Sequence, residues 1–150
     1  MLLISTPWLI DIMGRFHPLM VHFPIGLLIG AFILEGITKL QKKESPYIGM
    51  VYLGAFSALL AAILGQLLAQ SGDYGGALLS QHQWTGWATV ILANLTAVLY
   101  WHRAKLPNNL PFLALGIVCL SVSVAGHFGA SITHGADYLS LPHKQATTSS

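Results

Sequence analysis

Residues Tyr47–Gln70 read YIGMVYLGAFSALLAAILGQLLAQ, a stretch without a single charged side chain. At about 1.5 Å per helical residue it is long enough to cross a hydrocarbon core of about 30 Å. Backbone polar groups find no water there, so the segment has to be helical. Working outward, three further apolar stretches have comparable length. One runs from about Pro18 to Leu40, one from about Trp84 to Trp101 and one from about Leu110 to Phe128. Trp84, Trp87, Tyr100 and Trp101 bracket the third of these in chain order, as aromatic belts at two interfaces would. Composition agrees: 54% of the 150 residues are hydrophobic and 8% charged, whereas soluble domains carry roughly a quarter charged residues. The fold expected is an all-α integral membrane protein, an antiparallel four-helix transmembrane bundle.

Three segments follow from this reading. Residues 1–16 form an N-terminal segment lying along the interface, because Leu2–Ile12 is short for a span and carries Asp11. It lacks the basic start and small-residue cleavage site of a removable signal peptide, so Met1 is expected to stay. Residues 17–140 make the transmembrane domain, and residues 141–150 a polar tail. Lys39, Lys42 and Lys43 flank one turn and Arg103 and Lys105 another, which places those turns in the cytoplasm and both termini on the outer side of the membrane. No internal repeat stands out.

The formal charge of +2 and the scatter of the basic residues offer no electrostatic footprint for nucleic acid. Cys119 is the only cysteine, which rules out an internal disulfide, a four-cysteine iron–sulfur site and thioether-linked haem within this sequence.

Threading the chain up and down gathers five of its seven histidines, His17, His22, His82, His127 and His134, at one membrane face. Ionisable side chains near membrane depth are costly and mark ion paths, proton relays or cofactors. His22 and His127 lie at similar depth and are the first choice as axial ligands of one haem b. His82 is the alternate, and His17 and His134 would serve a second haem in an outer layer. Arg15 could pair with a propionate through its guanidinium fork or simply anchor headgroups. A copper or zinc site built of histidine alone and a local proton shuttle are the competing chemistries. The blander reading for each isolated histidine is an interfacial side chain facing headgroups, and it suits His102 and His143. Glu35, the only acid within a span, is explained by snorkelling toward Lys39 at i+4 or, more sharply, by proton uptake. Gln66 and Gln70 suit bonding between helices. The small residues, including the Gly26–Gly30 pair, suit close helix packing, and that pair would also let a flat ring approach.

Three segments, GRFHPLMVHFPIG (Gly14–Gly26), HQWTGWA (His82–Ala88) and GHFGASITHGADYL (Gly126–Leu139), carry a resemblance. They resemble a bacterial family of four-helix membrane domains of unknown function, often fused to c-type cytochrome or Rieske modules. The likeness runs from about Gly14 to Leu139, and the family's characteristic histidines fall on the same five positions. It implies redox work at the outer face, favouring haem over zinc. The expected function is a b-type haem membrane subunit carrying electrons there, with a separate c-type cytochrome or other respiratory subunit as partner and quinone in the outer leaflet as a further candidate. No electron wire across the membrane is expected, because His102 stands alone on the cytoplasmic side. The alternative of another class is a non-catalytic anchor or assembly subunit of a larger complex.

Overall fold

The computed structural model describes residues 7–43, 45–71 and 75–139. The expectations about residues 1–6, about Asp73 and about the tail beyond Leu139 with His143 and Lys144 lie outside the described residues. Among the described residues the structure is all-helical, with α1 (Pro7–Arg15), α2 (His17–Met20), α3 (His22–Leu40), α4 (Ile48–Ser71), α5 (Ala77–Trp101), a 3-10 turn at Arg103–Lys105, and α6 (Leu110–His134). Three helical stretches are long and apolar enough to cross a membrane: Trp8–Leu40, Ile48–Gln70 and Leu110–His134. α5 has the same 25-residue length as α6, but its opening turns carry Ser80, Gln81, His82 and Gln83, which dilute its apolar character.

The first of these stretches departs from the sequence reading. α1, α2 and α3 follow one another as a single 33-residue apolar run, broken only at Phe16 and Val21. Proline explains the breaks. Pro18 and Pro24 have no N–H to return to the carbonyls of Gly14 and Met20, so the ladder fails one turn before each of them. Neighbouring bonds from the Met20 N–H to Phe16 O (2.9 Å) and from the Val21 N–H to His17 O (3.0 Å) keep the axis nearly continuous. α1 is held against α4 at Gly14, where an added Cβ would lie 2.7 Å from the Leu68 backbone.

The four long helices pack in a closed ring, with α3 on α4 and α6, and α5 on α4 and α6. Registers give the directions. Leu28 meets Gly54 while His17 meets Gly65, so α4 runs against α3. The Cys119 thiol reaches Leu28 O and Lys39 Nζ reaches Asn108 O, so α6 also runs against α3. His82 bonds Ala125 and Thr89 bonds Ser121, which sets α5 against α6. At the centre lie Leu28, Val51, Ala93, Leu115 and Val118, all fully buried. Phe23, Leu53, Phe56, Ile91, Ile117 and Leu120 point outward and are exposed, the surface expected of a lipid-facing belt.

Two local expectations are corrected. Trp84 and Trp101 are exposed as belt residues should be, but Tyr100 is only 2% accessible and belongs to the core, because successive helical residues point about 100° apart. Glu35 does not reach toward Lys39. It is 6% accessible, whereas Lys39 bonds Asn108 O at 3.0 Å and lies over the Phe112 ring.

The α3–α4 crossing depends on Gly54, whose absent Cβ would fall 2.7 Å from Leu28 Cγ. Gly54→Ala is expected to destabilise the protein in detergent by about 1–3 kcal/mol, the usual cost of overpacking. Leu28→Ala is expected to cost about 2–5 kcal/mol. The double variant should fall short of the sum, since one residue fills the space the other vacates. A double-mutant cycle followed by circular dichroism in denaturing detergent measures the difference.

Candidate functional site

Of the five histidines gathered by threading, the structure joins two as neighbours. The rings of His17 and His82 have centroids 6.0 Å apart and planes inclined at 69°. Each is half-buried and anchored in the same way. His17 Nδ1 lies 2.8 Å from Ala61 O on α4, and His82 Nδ1 lies 3.0 Å from Ala125 O on α6. A carbonyl oxygen can only accept, so each Nδ1 carries the proton and each Nε2 keeps a free lone pair. That is the tautomer of a metal-ligating histidine whose other nitrogen is oriented by a backbone carbonyl.

Space for each ring comes from a glycine one turn further along the helix that supplies the carbonyl. A Cβ at Gly65 would lie 2.8 Å from His17 Cε1, and one at Gly129 would lie 3.0 Å from His82 Cε1. His17 gains its inward position from the proline-broken entry to α3. His82 gains its position because α5 begins at Ala77, about two turns before the start expected from the sequence, so His82 sits within the helix. The two rings border a cavity of about 560 Å³ that is also lined by His22, Gln66, Gln83 and His134. That volume is in the range of small-molecule and cofactor sites, about 300–1,000 Å³.

Of the remaining candidates, His22 and His134 line the same cavity as the pair, whereas His127 and Arg15 do not. His22 is exposed at the cavity edge, its Nδ1 donating to Pro18 O at 2.7 Å. His127 is exposed and does not line the cavity; its Nδ1 lies 3.2 Å from the Tyr138 hydroxyl. His134, the last residue of α6, also neighbours the Tyr138 ring, with centroids 6.1 Å apart. His22 and His127 are therefore not brought together. The reason is angular. On α6 the inward-facing position is Ala125, and a residue two further on points about 200° away from it. Arg15 is an exposed side chain paired with Asp11 at 2.8 Å.

What the pair can do follows from its donor set. Two imidazoles with free Nε2 atoms match the ligand count of a bis-histidine haem, whereas zinc sites draw three or four protein ligands. Among the described residues no group of three or more histidine, cysteine or acidic side chains converges. The 6.0 Å spacing of the ring centroids would let both imidazoles hold one group between them. Sequence reasoning took Ala61 and Gly65 only as small packing residues and did not single out Ala125 or Gly129. Only the AxxxG spacing shared by Ala61–Gly65 and Ala125–Gly129 could have drawn attention to them.

An all-helical membrane protein with a paired-histidine cavity is the class these observations define. The chain belongs to the family described as "Predicted membrane protein (DUF2231)", which matches residues 15–144. No curated protein and no solved structure matches the chain.

Proposed function

We propose that the protein is a b-type haem membrane subunit that transfers electrons, and that His17 and His82 are the residues that would hold the haem. One observation carries the reading: two imidazoles from different helices, 6.0 Å apart, each with Nδ1 committed to a backbone carbonyl. Bound between them, haem would supply a one-electron couple with no open iron position, which suits electron transfer rather than oxygen chemistry. The chain's own contribution is to fix both rings and tautomers, so that the ligands need not reorganise when the charge changes. The apolar walls around Val90 and Val122 would lower the local dielectric, which favours the lower-charge state of a centre. His22, Gln66 and Gln83 stand at the cavity wall as hydrogen-bond partners for the edge of a ring.

In this reading all four long helices cross the bilayer as an antiparallel bundle, α5 included. The lysine- and arginine-bearing turns at 39–43 and 103–105 face the cytoplasm of a bacterial inner membrane, and the histidine end faces the periplasm. The electron partner is then a periplasmic c-type cytochrome or another respiratory subunit, or a quinone approaching through the outer leaflet. The test is a visible spectrum of the protein purified from cells supplied with haem precursors, with porphyrin and metals quantified. A Soret band and a reduced α-band are expected. Copper or zinc without porphyrin would replace this reading with a histidine-ligated metal site, and neither metal nor porphyrin would leave a membrane anchor.

A further inference from the structure

The two halves of the histidine site are built alike, and the likeness extends far beyond it. Four of the five buried residues of α3, Pro24, Leu28, Ala31 and Glu35, have a buried counterpart 65 positions on, at Thr89, Ala93, Thr96 and Tyr100 of α5, and the fifth, Thr38, falls beyond α5 on exposed Arg103. His17 and His82 obey the same offset. On α4, Val51, Gly54, Ala58 and Ala61 are buried, and their counterparts 64 positions on, Leu115, Val118, Val122 and Ala125 of α6, are buried too. The glycines beneath the rings, Gly65 and Gly129, fall on this second offset. Any two amphipathic helices can be slid until their buried faces coincide, because both repeat every 3.6 residues. Here the shift that aligns the buried faces also aligns the histidine, its carbonyl partner and its glycine, on both helices of each pair. The span from imidazole to carbonyl is 44 residues in one half and 43 in the other. Outward positions follow as well: Ile33 and Val98 are exposed, as are Leu53 and Ile117.

Since α3 and α5 both run against α6, they are parallel to each other, and the operation relating the halves is a rotation about an axis along the bundle. Membrane proteins made of parallel repeats have such an axis along the membrane normal, with the functional site at the interface between the repeats.

We propose that residues 17–71 and 82–134 are two copies of one helix-pair unit, and that the His17–His82 pair is a single shared centre on the pseudo-two-fold axis between them, ligated once by each copy. The duplication stands on the geometry alone; the identity of the group at the centre rests on the haem reading above. One centre per chain follows, in place of the two layers that depth alone suggests. The copies also differ at the opposite end of the axis. Glu35 and Tyr100 occupy equivalent places there, both buried, and the Tyr100 hydroxyl interacts with the Glu35 carboxyl.

The experiment uses the full chain with Cys119, its only cysteine, changed to serine. Spin labels are placed on cysteines at positions 33 and 117 in one sample and 98 and 53 in another. The two-fold relation exchanges these pairs, so their distance distributions should coincide. Distributions separated by more than the label's own width overturn the duplication, whatever the cofactor proves to be. In a second arm, His17→Met and His82→Met should give the same altered ligand-field spectrum at one haem per chain. Two haems per chain, or a change in only one variant, overturns the shared centre. If no porphyrin is found, the haem ligation falls with the reading above, and the paired distances alone decide the duplication.

Discussion

Purified His17→Ala and His82→Ala variants are expected to lose haem, each to less than a tenth of the wild-type content, while keeping the helical circular dichroism of the parent. In the proposed reading both rings would hold the haem. Removing a group that merely orients a ligand already costs about 10–100-fold in metal affinity, so removing the ligand itself should cost at least that much. Imidazole added to the medium should restore part of the low-spin spectrum, since the vacated half of the site keeps its shape. His22→Ala and His127→Ala are the comparison. His22 bonds the backbone of its own helix, and His127 faces Tyr138 outside the cavity. If these two variants empty the protein while His17→Ala and His82→Ala do not, ligation belongs to the pair chosen from depth along the helices.

The second large effect is expected from a single methyl group. Gly65→Ala would place a carbon 2.8 Å from His17 Cε1 and 2.9 Å from Nδ1, closer than real Cβ atoms approach. The ring cannot retreat without breaking its bond to Ala61 O. The variant should therefore bind haem at least about tenfold more weakly, as expected when the hydrogen bond that orients a ligand is lost. Its spectrum should shift toward high spin, because His17 no longer reaches the position opposite His82. Gly129→Ala should act in the same direction and more mildly, its added carbon lying 3.0 Å from His82. Gly26→Ala is the control: nothing lies within 4 Å of a Cβ there, although the GxxxG spacing made Gly26 a packing candidate. Haem per chain and the ferric spectrum of the three variants measure the outcome. Unchanged binding in Gly65→Ala would show that the ring has another place to go.

Much of the architecture was legible in the sequence for a plain reason. An apolar run such as Tyr47–Gln70 has few alternatives to a helix in lipid, and prolines mark where ladders fail. Helix ends were less legible. α5 begins at Ala77 and α6 continues to His134 because polar residues such as Gln81, Gln83 and Thr133 are tolerated in helical turns at the end of a bundle, where hydropathy no longer reports structure. The choice of histidines depended on these ends. Ranking by depth compares positions along an axis, whereas meeting another helix depends on the angle around it. His22 and His127 share a depth but not a face. His17 lies just ahead of the span expected from Pro18, and the proline-broken entry carries it inward. The internal repeat was hidden because its halves share burial rather than identity: Leu28 matches Ala93, and Glu35 matches Tyr100. Only the contacts made by His17 and His82 preserve it in chemical form.

Low-temperature electron paramagnetic resonance of the oxidised, purified protein tests the central claim most directly, with haem quantified per chain in the same sample. Two imidazoles holding one haem predict a single low-spin ferric haem per chain. A high-spin signal from the wild type, or the absence of any haem from protein made in haem-replete cells, would contradict the account.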